Sequence, residues 1–126
     1  MLTTGIKGLE KIIVNESNTA AAVGSGLLPV FATPALIALM EKAAADSVEP
    51  YLSLEESTVG ILINVKHTAA TPLNMEVHCE SELIEIDRKR LVFQVKAYDE
   101  KGLIGEGIHE RFIINKSSFM DKVMKK

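Results

Sequence analysis

The sequence predicts an α+β fold, an antiparallel sheet covered by one long helix. Three observations carry this reading. Only one segment, Thr33 to Pro50, holds a long helical repeat of apolar residues. Everything after it alternates apolar and polar residues with the period of two that belongs to strands. The 126 residues are 47% apolar but only 5% aromatic, so the core has to be built from Ile, Leu, Val, Met and Ala. This length is read as a single domain, residues 1–126.

The elements follow in order. Ile6 to Val23 reads as one or two short strands interrupted near Asn15–Asn18, with Ile12-Ile13-Val14 and Thr19–Val23 as the strand-like stretches. Gly24-Ser25-Gly26 marks a turn. Thr33-Pro34 then reads as a helix start, with the Thr33 hydroxyl as the cap and proline at the first helical position. At about 100° per residue, Leu36, Ile37, Leu39, Met40, Ala43, Ala44 and Val48 fall on one arc, opposite Lys42, Asp46 and Glu49. Pro50 ends the helix.

The first long strand places Val59, Ile61, Ile63, Val65 and His67 on one face. A second run follows with Met75, Val77, Cys79, Ser81 and Leu83, and a third with Leu91, Phe93, Val95 and Ala97. Asp87-Arg88-Lys89-Arg90 and Asp99-Glu100-Lys101-Gly102 are the turns that bound the third. In the last strand Ile104, Glu106, Ile108, Glu110, Phe112 and Ile114 share one face, and Gly107, His109, Arg111 and Ile113 the other. A short amphipathic helix over Ser117 to Lys125 closes the chain. One helix covers one sheet face only, so a second copy of the chain is the simplest cover for the remaining apolar surface.

Fourteen Lys and Arg against 17 Asp and Glu leave a net charge of −3, without the basic footprint that broad nucleic-acid binding needs. The single cysteine, Cys79, excludes an intrachain disulfide and a multi-cysteine metal site, and fits the reducing cytoplasm. No signal peptide is read at the N-terminus. The stretch Ala20 to Ala32 is too short to cross a bilayer. No membrane partner and no cofactor are expected.

Five residues stand out as candidates for chemistry. Glu41 sits at the margin of the helix's apolar arc, where a carboxylate serves as base or nucleophile or else turns outward to water. His67 ends an apolar strand face, placed to orient a carboxylate or to be a satisfied strand-end histidine. Thr33 lies beside the helix N-terminus, whose free N–H groups favour developing negative charge. It stands about 12 Å along the axis from Glu41, so the two touch one small substrate only if something bridges that gap or two subunits share a site. Gly60 interrupts a β-branched strand, a mark of close approach to the backbone. Arg111 is a candidate anion binder. His109 shares its face and reads as structural, while His78 stands among Glu76, Glu80 and Glu82 and reads as solvated. No two histidines have zinc-ligand spacing.

Val30-Phe31-Ala32-Thr33, Leu39-Met40-Glu41, Val59-Gly60 and above all His67-Thr68-Ala69-Ala70-Thr71-Pro72 resemble the fluoroacetyl-CoA thioesterase branch of the hotdog-fold thioesterases. Gly107-Ile108-His109-Glu110-Arg111 looks like that branch's final strand. The resemblance implies a hotdog fold, a curved antiparallel sheet around a central helix, in a homodimer or larger homo-oligomer. It implies acyl sites at the dimer interface, with Thr33, Glu41 and His67 as the catalytic trio and Gly60 and Arg111 touching substrate. The expected activity is hydrolysis of an acyl-CoA or other acyl thioester. The segment Ala22–Pro29 departs from the resemblance, because it carries none of the phenylalanines that form that branch's lid. Two other functions compete with hydrolysis: a non-catalytic binder of acyl groups or another small apolar ligand, and a dehydratase acting on a hydroxyacyl thioester.

Overall fold

Five strands form one antiparallel sheet: β1 (Lys7–Ile13), β2 (Glu56–His67), β3 (Glu76–Asp87), β4 (Arg90–Asp99) and β5 (Gly102–Asn115). Their spatial order is β1-β3-β4-β5-β2, which leaves β1 and β2 at the edges. The computed structural model describes the whole chain, Met1 to Lys126. The long helix α2 (Thr33–Val48) touches all five strands. Its buried residues, Leu36, Leu39, Met40, Ala43, Ala44 and Val48, are those of the predicted arc except Ile37, which is half-buried. They pack on Val77, Cys79 and Leu83 of β3, Leu91, Phe93, Val95 and Ala97 of β4, and Ile104 and Ile113 of β5. Beyond Val48 the chain passes through a 3₁₀ turn, Glu49–Tyr51, which holds Pro50.

The helix has no side-chain N-cap. Ala32 occupies the cap position and Thr33 is the first helical residue, so the helix begins one residue earlier than the Thr-Pro sequence predicts. A missing cap bond costs about 1 kcal/mol. Burying one leucine contributes about 1.5–3 kcal/mol, so the core decides where this helix lies and leaves the Thr33 hydroxyl free for another partner.

Other local expectations also change. Thr19–Val23 is not a strand. Ala20–Val23 forms a short helix, α1, with the Thr19 hydroxyl accepting from the Ala22 N–H and Gly24 at φ +81° closing it. Three alanines between a capping residue and a left-handed glycine favour that turn of helix. The C-terminal helix, α3, covers Lys116–Val123.

Two bulges alter the predicted strand faces. Between Gly60 and Leu62 the pairing with β5 slips, and Ile61 is the extra residue. The helix-facing set is therefore Thr58 and Gly60 before the bulge and Ile63, Val65 and His67 after it, so Val59 does not share a face with Ile63. At the start of β5, Ala97 pairs with Gly105 and Tyr98 with Leu103. The unmatched Ile104 turns into the core, away from the solvent face that alternation predicts.

Candidate active site

Thr33 and His67 meet at one end of β2. Their side chains share a hydrogen bond, 2.7 Å from Thr33 Oγ1 to His67 Nδ1. The chain before α2 is tied in place by the Phe31 N–H to the Thr71 carbonyl, 2.9 Å, and the Ala32 N–H to the Asn18 carbonyl, 2.9 Å. The segment after His67 is held by the Thr68 N–H to the Ile104 carbonyl and by Thr71 Oγ1 donating to Asp99. These ties set the helix start against the strand end. A cavity of about 280 Å³ opens there, lined by Ala20, Val30, Phe31, Thr33, His67 and Ala69 among others. Burial pushes the His67 imidazole down from its ordinary value, so the ring is neutral at pH 7. Its Nε2 is buried without a protein partner.

Glu41, Gly60 and Arg111 meet elsewhere. Glu41 Oε2 lies 3.6 Å from Arg111 Nη1, an ion pair rather than a good hydrogen bond. Its side chain is 42% exposed, against 10% for that of Arg111. Arg111 Nε donates to Thr58 Oγ1 at 2.7 Å, and Nη2 to the Thr58 carbonyl at 3.0 Å. Nη1 lies 3.2 Å from His109 Nε2. A fork held at several points fixes where a guanidinium aims its charge. Burial pulls Arg111 below its usual value while Glu41 pulls it back up, and the group stays cationic. Gly60 leaves the carboxylate its place: a Cβ there would stand 2.8 Å from Glu41 Oε2 and 3.3 Å from Arg111 Nη1, so Glu41 would have to move.

The five candidates thus form two groups. Six residues of β2 lie between Gly60 and His67, about 20 Å of extended strand. Within one chain, Thr33 and His67 do not reach Glu41 and Arg111. Sequence reasoning passed over Thr58, although it stands in phase with Gly60, two residues before it. It read His109 as structural, although that histidine is in phase with Arg111 on β5. Of the histidines set aside, His78 lies 3.5 Å from Glu80 and stacks on Tyr98.

The family profile of fluoroacetyl-CoA-specific thioesterases matches residues 14–117. The fluoroacetyl-CoA thioesterase of Streptantibioticus cattleyicolor is 41% identical over 97 residues, covering 77% of this chain and 70% of that protein. A solved structure of the fluoroacetyl-CoA thioesterase FlK superposes with a TM-score of 0.95 at 32% identity, over 100% of this chain and 98% of the other. A Thermus thermophilus member of the thioesterase superfamily superposes with a TM-score of 0.90 at 26% identity, over 98% of this chain and 91% of that one.

An antiparallel five-stranded sheet packed around one long helix, with these likenesses, is a hotdog-fold thioesterase. Within that superfamily the chain belongs to the fluoroacetyl-CoA-specific thioesterase family, and it is a thioester hydrolase. The non-catalytic and dehydratase alternatives are set aside by this assignment.

Proposed function

We propose that the protein hydrolyses an acyl-CoA thioester at composite sites in a homodimer. The observation that carries the proposal is the division of the candidate residues between two places along one edge strand. β2 offers a free edge, and Ile61 and Leu62 on it are 50% and 42% exposed. Antiparallel pairing of two β2 edges about an axis midway between Gly60 and His67 sets the partner's His67 beside Gly60. Thr33 and His67 of one copy then face Glu41, Gly60 and Arg111 of the other, twice per dimer. A mutant of the fluoroacetyl-CoA-specific thioesterase FlK has been solved in complex with fluoroacetate and CoA, which supports an acyl-CoA as substrate. A cytoplasmic location belongs to the same proposal and fits the buried, unpaired Cys79.

In this reading the Glu41 carboxylate attacks the thioester carbonyl, the C–S bond breaks, and the thiolate leaves. A backbone N–H near Gly60 holds the oxyanion. The proton that the thiolate finally takes up comes from the water of the next step, with neutral His67, positioned by Thr33, as the base that accepts it from that water and passes it on. Water then opens the acyl–Glu41 anhydride to free acid. In the alternative route Glu41 deprotonates a water that attacks directly. Single-turnover hydrolysis in ¹⁸O water separates the two, since only the anhydride route leaves label in the Glu41 side chain.

The test of the function itself is a panel of acyl-CoA substrates read by free-thiol release, with Glu41→Gln alongside. The variant is expected to keep its melting temperature and lose about 10²–10⁴ in kcat. Near-wild-type turnover by Glu41→Gln would remove Glu41 from the chemistry.

A further inference from the structure

His109 is fully buried, and both of its ring nitrogens are engaged. Nδ1 lies 2.8 Å from the Leu62 carbonyl. A carbonyl only accepts, so Nδ1 carries the hydrogen. Nε2 faces Arg111 Nη1 at 3.2 Å. A guanidinium only donates, so Nε2 must be bare. Both contacts are satisfied together only by the neutral imidazole in its Nδ1–H tautomer.

The ring also ties together two features that the strand ladder does not join. Leu62 is the first paired residue after the bulge at Ile61, and Arg111 is the partner of Gly60 just before it. A Cβ on Gly60 would stand 3.2 Å from His109 Cε1, so the imidazole forms one wall of the place where Gly60, Glu41 and Arg111 converge. From β4, Phe93 stacks on the ring with centroids 6.3 Å apart.

We infer that His109 is a positioning residue of the hydrolytic site: as a neutral imidazole it aims the Arg111 guanidinium at Glu41 and pins the bulged stretch of β2 that carries Gly60. The inference rests on the reading of Glu41 and Arg111 as site residues. The charged groups that bear on the ring are Arg111 and Glu110 on β5 and Glu41 on α2; β4 presents Phe93 and β2 the Leu62 carbonyl. Protonation would point an N–H at the guanidinium and set two cations side by side. Arg111 would then have to release the ring, and its aim at Glu41 would be lost. Burial, with Arg111 next in line to oppose the charge, holds the imidazole below the usual histidine range and keeps this from happening at neutral pH.

The substitutions separate the two contacts. Glutamine places an acceptor oxygen where Nε2 stands, keeping Arg111's partner while giving up the Leu62 bond. Leucine fills the space and gives up both. His109→Leu is expected to lower kcat about 10- to 100-fold, the scale of a small misplacement of catalytic groups, with KM changed far less. His109→Gln is expected to regain most of that loss. In the unmodified protein, ¹⁵N NMR of the histidine rings should show His109 neutral and protonated on Nδ1 at pH 7. Wild-type kcat in His109→Leu together with a lowered melting temperature would make the residue merely structural and overturn the inference. A cationic ring or the Nε2–H tautomer at pH 7 would overturn it too, and that arm stands even if His109→Leu fails to fold. Absence of acyl-CoA hydrolysis by the unmodified protein would overturn the parent reading as well. Hydrolysis with an indifferent His109→Leu would overturn this one alone.

Discussion

A single methyl group at Gly60 tests the geometry around Glu41. The nearest atom to such a group, Glu41 Oε2 at 2.8 Å, is the end of a flexible and partly exposed side chain. It can swing aside at little cost to the fold. The same movement takes the carboxylate away from Arg111. Gly60→Ala is therefore expected to melt within a few degrees of the unmodified protein and to lose about 10-fold or more in kcat. Thermal melts and thiol-release kinetics on one preparation check both halves. Thr33 teaches a related lesson. Read locally, a threonine before a proline caps a helix. In the fold its hydroxyl bonds a histidine 34 residues away, because burial of the apolar arc already holds the helix where it is.

Among the secondary-structure elements, β2 bears most directly on the proposed composite site. It is an edge strand, it carries Gly60 and His67 at separate points, and a bulge divides it. An unpaired edge with exposed Ile61 and Leu62 is a template for another strand, and lysines on such an edge block pairing. The double substitution Ile61→Lys with Leu62→Lys is expected to halve the mass seen by sedimentation and to abolish hydrolysis, with the far-ultraviolet spectrum unchanged. A monomeric variant that still turns over at the wild-type rate would place each active site within one chain. The bulge itself was not legible in the sequence. Val59, Ile61, Ile63 and Val65 alternate without a break, and only the pairing of β2 with β5 puts one residue too many on β2. By contrast, the α2 arc and the runs of β3 and β4 were legible residue by residue. Their periods follow from backbone geometry, and the bulge between them, at Ile84, falls just beyond the predicted β3 run that ends at Leu83.

Across the chain, two histidines link stability to pH. His67 and His109 are each held below the ordinary value of 6.5 by burial. Above that value both are neutral in the folded and unfolded chain, and the stability associated with them is fully present. As pH falls through it, the unfolded chain takes up protons first, so folding loses stability until the folded-state values are also passed. The urea midpoint is therefore expected to fall between pH 7 and pH 5, and to fall less in His109→Gln. A midpoint flat over that window would contradict the assignment of neutral, buried rings. The carboxylate of Asp46, held low by Lys42, does not act in this window, because its ordinary value of 3.8 already lies beneath it.

The sequence alone was enough for one helix against an antiparallel sheet, for an aliphatic core, and for the candidates Thr33, Glu41, Gly60, His67 and Arg111. Each of these was read from periodicity, spacing or a resemblance carried by short motifs, all of which are local in the chain. The three-dimensional arrangement determined that Thr33 holds His67, that Arg111 is held by Thr58 and His109, that Ile61 bulges and Ile104 turns inward, and that the candidates fall into two groups along β2. The reason is physical. A backbone period is set by neighbouring peptide units, whereas the partner of a buried hydroxyl, guanidinium or imidazole is set by whichever distant strand the closed core brings beside it.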